Sequence, residues 1–191
     1  MPGQIENALL EAARLLEALR NSPDVLERLN QFAGDLAGVF QAGNKVMACG
    51  NGGSMADAMH FCEEWTGRFQ KDRRPYPALA LSEASALTCI SNDYGYQQVF
   101  ARQVAAYGQH GDILLLLSTS GQSTNLVEAA REARQYDVRT VGFLGRGGGD
   151  LAALCDLAIL FPGEAADRIQ ELHMLALHAV IAATESLLGH G

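Results

Sequence analysis

The sequence has no apolar run long enough to cross a bilayer. Its opening stretch, MPGQIENALLEAARLLEALR, has neither the basic start nor the unbroken apolar segment of a signal peptide. It has no CxxC pair: Cys49, Cys62, Cys89 and Cys155 are scattered, which reads as buried thiols in a reducing compartment. It has no excess of positive charge either. A formal net charge of −8 and a pI near 5.0 exclude a general nucleic-acid or anionic-membrane surface, while leaving room for a local basic pocket. These absences together predict a cytoplasmic protein whose partners are neither nucleic acid nor membrane. No repeat, low-complexity segment or long linker interrupts the chain. Its 191 residues, 48% hydrophobic and 19% charged, suffice for one well-buried core.

The first forty residues read as two helices. Ile5, Leu9, Leu16 and Leu19 recur at helical spacing, and Ser22-Pro23-Asp24 supplies a cap, a first-turn proline and an early acid for a second helix ending near Gln41. The pattern then changes to short apolar runs, Lys45–Cys49, Ala78–Leu81, Asp112–Leu117, Thr140–Leu144 and Leu157–Phe161. None shows polar alternation, as expected of strands covered on both faces. Helical stretches lie between them, so the connections are right-handed crossovers. The spacing predicts an α/β fold: a three-layer αβα sandwich around a five-stranded parallel sheet, flavodoxin-like, with N-terminal helices. The last helix, about Ala165 to Leu188, is apolar on nearly all sides. It must be covered by a subunit partner or by the two N-terminal helices, and a partner is the expectation favoured here.

Open parallel sheets bind ligands at the carboxyl ends of their strands. Three loops fall there. Gly50-Asn51-Gly52-Gly53-Ser54 allows close backbone approach and opens a helix, whose free N–H groups suit an anion. Ser118-Thr119-Ser120-Gly121-Gln122-Ser123 brings four hydroxyls to another helix start and reads as a phosphate cradle. Gly145-Arg146-Gly147-Gly148-Gly149 carries no hydroxyl and reads as a tight turn. No lysine follows these glycines as a P-loop requires, and Met55 stands where GxGxxG needs glycine.

Beyond the first loop, His60 and Glu64 share a helix face at i,i+4, an arrangement suited to a metal or to proton transfer. The last helix opens with polar residues, among them Asp167, Gln170 and His173, and His178 follows. Spacing alone does not choose between the two histidines. Asn92-Asp93-Tyr94-Gly95 reads first as a turn.

Taken in order, CGNGGS-x2-DAMHF-x2-E-x-TGR, ND-x-G, STSG-x-S and ADRIQE-x-H-x4-H resemble the bacterial sedoheptulose 7-phosphate isomerases (phosphoheptose isomerases) of the SIS, or sugar isomerase, fold. The resemblance runs from the N-terminal helices to the last helix. It implies a homotetramer converting sedoheptulose 7-phosphate to D-glycero-D-manno-heptose 7-phosphate, an early step towards nucleotide-activated heptoses for surface polysaccharide. It implies a helical extension over residues 1–35 that packs in the oligomer and an SIS domain over 36–191. It also implies substrate contacts at Asn51, Gly52, Gly53, Ser54, Arg68, Asn92, Asp93, Asp167 and Gln170, with phosphate held by Ser118, Thr119, Ser120 and Ser123. One Zn2+ per subunit would be bound by His60, Glu64, Gln170 and His178, with Glu64 and His178 as the proton-transfer pair. A related SIS homotetramer that associates with the replication initiator lacks equivalents of Glu64 and His178, and a sugar-phosphate sensor would need neither. Their presence here favours the enzyme over either binding protein.

Overall fold

A computed structural model of the protein describes residues 3–190. Two helices lead, α1 (Gln4–Arg20) and α2 (Pro23–Gln41), followed by β1 (Val46–Gly50), α3 (Gly53–Thr66), β2 (Ala78–Ala80), α4 (Ala84–Tyr94) and α5 (Ala101–Tyr107). Then come β3 (Ile113–Ser118), α6 (Thr124–Gln135), β4 (Arg139–Leu144), the short α7 (Gly149–Ala152), β5 (Leu157–Leu160) and α8 (Ala166–Leu187). The five strands form one parallel sheet in the order β2-β1-β3-β4-β5.

Alternation along each strand sends side chains to two cores. Val46, Ala48, Ile113, Leu115, Leu117, Val141 and Phe143 face α2, α3 and α8. Met47, Cys49, Leu114, Leu116 and Leu144 face the α5 and α6 side. The central strands β1 and β3 are buried throughout, as their unbroken apolar runs predict. The edges differ: Leu79 in β2 and Leu160 in β5 are exposed, because an edge strand has less helix to cover it. The cysteines divide too. Cys49 and Cys62 are buried as expected, whereas Cys89 is exposed on α4 and Cys155 is half-buried.

Asn92, Asp93 and Tyr94 form the last turn of α4 rather than a free turn. The chain reverses one residue later at Gly95, whose φ of 87° suits the residue that follows a helix. Residue 35, where the extension was expected to end, lies within α2, and Phe32, Leu36 and Phe40 of that helix are buried in the main core. Much of the apolar surface of α8 is covered within the chain, by α1, α2 and α3. The largest uncovered apolar residues of the first helix are Ile5, Leu9 and Leu10.

His173 is enclosed completely, with the rings of Phe161 and Phe143 edge-on at 4.5 and 5.9 Å. Neither of its nitrogens has a hydrogen-bond partner among the described residues. Burial disfavours the imidazolium and pushes its pKa down to about 3 from an ordinary 6.5. The unfolded chain therefore takes up a proton that the native chain refuses. This contribution to stability is full above about pH 6.5 and is lost as pH falls towards 3, at up to about 1.4 kcal/mol per pH unit. In urea melts between pH 6 and 4.5, His173→Leu should show a shallower loss of stability than wild type by about that slope. Parallel pH dependences would show that His173 does not hold its neutral form.

Candidate active site

The strand order reverses between β1 and β3: the chain leaves β1 for β2 on one side, and β3 lies on the other. Gly50 at the end of β1 pairs with Leu117 near the end of β3, so the first glycine loop and the serine loop emerge side by side. This is the crevice where open α/β sheets bind ligands.

The glycines of the first loop permit two close approaches. A Cβ on Gly50 would lie 2.7 Å from the Ser54 backbone, and one on Gly53 would lie 2.2 Å from Oε1 of Gln170. Gly53 thus lets the amide of an α8 residue lie against the first residue of α3. Asn51 is fixed by its own network. Its Nδ2 donates to Asn125 Oδ1 at 3.0 Å, and its Oδ1 accepts from Asn125 Nδ2 and the Tyr96 hydroxyl, both at 2.8 Å.

In the serine loop, Ser118 Oγ accepts from the Gly121 amide at 2.9 Å and Ser120 Oγ from Gln122 at 3.3 Å. Ser123 caps α6 without a side-chain cap bond. Asn51, Ser54, Leu117, Ser118, Thr119, Ser120 and Ser123 line a cavity of about 70 Å³. The starts of α3 and α6 both lie at this cavity, and their free N–H groups suit it to an anion. The third loop lies beneath. A Cβ on Gly121, whose φ is 66°, would stand 2.0 Å from the Gly148 carbonyl oxygen, and the Leu151 amide donates to Gly121 O at 3.1 Å. The third loop is therefore a tight turn, as its sequence suggests, and it also supports the serine loop.

Further along α3, His60 and Glu64 meet His178 of α8. His60 Nε2 lies 3.0 Å from His178 Nε2 and 3.4 Å from Glu64 Oε1. The side chain of Glu64 is 13% exposed and that of His60 43%. Phe69 stacks on the His178 ring at 5.7 Å. The structure thus separates the two histidines of α8, placing His178 in this cluster and His173 in the core.

His60, Glu64 and His178 can hold a metal ion, because their ligating atoms all lie within 4.8 Å of one another. Two ligands at about 2.0–2.1 Å from a tetrahedral ion stand roughly 3.3 Å apart, close to the 3.0 and 3.4 Å observed. Two imidazoles and one carboxylate are a donor set for a borderline divalent ion. Gln170 Nε2 donates to Asp57 Oδ1 at 3.2 Å, leaving the amide oxygen as the atom it can offer to a metal.

Asp57 was not among the residues singled out from sequence. It is buried, and desolvation raises its carboxyl pKa against the lowering effects of Gln170 and His60. Its place at i−3 from His60 and i−7 from Glu64, on the same helix face, was the available signal. Asn125, two residues beyond Ser123, is the second omission. Tyr96 is the third and carries no local pattern. Other expected contacts lie apart. Arg68 is exposed after α3, Asn92 and Asp93 bond each other at 2.7 Å, and Asp167 bonds Arg168, which holds its carboxyl below the usual range. Among the described residues no hydrogen bond joins these four to the serine loop or to the histidine cluster.

A model of the SIS domain family matches residues 10–145. The chain is 44% identical over 174 residues to a phosphoheptose isomerase of Fusobacterium nucleatum, covering 91% of this chain and 90% of that one. It is 45% identical over 182 residues to one from Serratia proteamaculans, covering 95% and 94%. The structure of phosphoheptose isomerase GmhA from Neisseria gonorrhoeae superposes with a TM-score of 0.90 at 37% identity, over 96% of this chain and 97% of that chain.

Contact between the serine loop and the third loop is testable. Gly121→Ala places a side chain at positive φ against backbone and should cost at least about 1 kcal/mol, roughly 2–4 °C in Tm. It should also weaken binding of inorganic phosphate, measured by calorimetry. An unchanged Tm with unchanged phosphate affinity would show that the two loops do not interlock.

Proposed function

The chain belongs to the SIS-domain family of phosphoheptose isomerases, and from that premise we propose that it converts sedoheptulose 7-phosphate to D-glycero-D-manno-heptose 7-phosphate. Its place would be in the making of nucleotide-activated heptoses, in the cytoplasm. No helix among the described residues is long and apolar enough to cross a membrane. The observation that carries the catalytic reading is the convergence of Glu64, His60 and His178, with His60 and Glu64 on the same helix whose first turn lines the serine cavity.

Isomerisation moves a proton between adjacent carbons. Glu64 takes a proton from C1 of the open-chain ketose and returns it to C2, passing through the enediol(ate). His178 gives a proton to the oxygen on C2 as the enediol forms and accepts one from the oxygen on C1 as the aldehyde forms, and it assists ring opening in the same way. Ser118, Thr119, Ser120 and Ser123 hold the phosphate with the α6 N-terminus, so distant binding energy orients the reacting carbons. Asn51, with its amide fixed by Asn125 and Tyr96, and Gly52, Gly53 and Ser54 bound the sugar. Arg68, Asn92, Asp93 and Asp167 are assigned substrate contacts completed on binding or by a neighbouring subunit. A zinc ion held by His60, Glu64, Gln170 and His178 would supply Lewis acidity to the substrate oxygens.

A homotetramer is the proposed assembly, with residues 1–35 as the helical extension that packs within it and 36–191 as the SIS domain. Ile5 (80% exposed), Leu9 and Leu10 on α1 and Leu175 on α8 leave apolar surface that a monomer would present to water. Light scattering at micromolar concentration should give four times the chain mass, and a monomer would refute the assembly.

Incubation with sedoheptulose 7-phosphate followed by NMR should show the aldose forming. Glu64→Gln should lower kcat by at least about 10²-fold with substrate still bound, and His178→Gln should act similarly. Ser120→Ala should instead raise KM, at about 1.5–3 kcal/mol for a hydrogen bond to a charged group. Binding without turnover by the wild-type protein, with or without zinc, would replace this reading with that of a sugar-phosphate sensor.

A further inference from the structure

Arg73 lies in the segment between α3 and β2, yet its side chain has no exposure to solvent. Its guanidinium is 5.5 Å from the Trp65 ring centre and 5.4 Å from that of Tyr76. Nη2 donates to the backbone carbonyl of Glu64 at 2.6 Å and Nη1 to that of Trp65 at 2.9 Å. Nε donates to Glu185 Oε1 at 2.6 Å, and Glu185 is itself buried on α8.

These partners have a common meaning. Glu64 and Trp65 are in the last turn of α3, where carbonyls have no helical acceptor role left to fill and a cation is favoured. Glu185 lies seven residues after His178, two turns along the same face of α8. One planar group with fixed donor directions therefore joins the backbone of Glu64 to the helix that carries His178. Among the described residues this is the only ion pair linking the segment after α3 to α8.

We infer that Arg73, acting through Glu185, is a positioning residue for isomerisation: it fixes the Glu64 carboxylate relative to His178. This rests on Glu64 and His178 being the proton-transfer pair. The bond to Glu64 goes to its backbone, so the carboxylate remains available for chemistry. Proton transfer between a carboxylate, carbon and an imidazole depends steeply on placement, and a shift of about 1 Å can cost 10²-fold in rate.

The test uses the full-length protein, with kcat, KM for sedoheptulose 7-phosphate and Tm measured for each variant. Arg73→Lys keeps a cation for Glu185, but a single ammonium cannot span all three acceptors. The double variant Arg73→Met, Glu185→Met removes both buried charges together and so avoids leaving either one unpaired. Both are expected to fold, to keep KM within about twofold and to lose about 10²-fold in kcat. A folded variant with wild-type kcat overturns the inference. So does a loss of kcat matched by an equal rise in KM, or failure of both variants to fold, since either makes Arg73 a structural brace alone. Glu64→Gln run alongside separates the two levels: if it stays active, the catalytic pair itself is misassigned, whatever Arg73 does.

Discussion

The chemistry of this fold depends on the close approach of α3 and α8 on one face of the sheet. Each helix alone carries an incomplete set of groups, His60 and Glu64 on one and Gln170 and His178 on the other. They become a site only where the helices lie near enough for imidazole nitrogens to stand 3.0 Å apart. Gly53 leaves room for the Gln170 amide at the start of α3, where a Cβ would have to displace it. Buried Phe61, Trp65, Leu177 and Ile181 fill the space beneath the two helices. Apolar packing supplies the bulk of the attraction, and the few polar cross-links choose the alignment.

The architecture was legible because its signals are local. Five short apolar runs separated by helical stretches leave little choice but a parallel sheet, and β1 and β3 are as fully buried as their composition implies. Burial of the edge strands was overestimated because run length carries no information about place in the sheet. Leu79 and Leu160 show the difference. Of the candidate site, the two loops and the His60–Glu64 pair were legible as features that the structure places on neighbouring elements. It was not legible in partners chosen by tertiary approach: Tyr96 meets Asn51 across 45 positions of sequence and Gln170 meets Asp57 across 113. His173 and His178 show the same limit, since five residues apart on one helix they face different surroundings.

A protein of net charge −8 that binds a phosphate must attract the anion locally. Among the described residues no lysine or arginine lines the serine cavity; hydroxyls, amides and two helix starts do. Such dipoles act at short range and do not require the whole surface to be basic. They also discriminate by shape, because a cradle of fixed donors fits a tetrahedral group better than a planar one. The Asn51–Asn125 pair adds to this by fixing one wall before any ligand arrives.

Contact between Gly121 and Gly148 has a consequence for how sequences of this fold can diverge in length. The third loop bears on the serine loop mainly through backbone atoms, and Arg146 Nε ties it to the Glu164 carbonyl at 2.7 Å, so its course is held from both sides. An added or deleted residue between 145 and 149 would move the support of the anion cradle even though no residue of the cradle had changed. Homologous chains should therefore gain and lose residues at the chain ends far more readily than here. A gap-free stretch of glycines at 145–149 would keep that support in sequences where the serines themselves have been replaced.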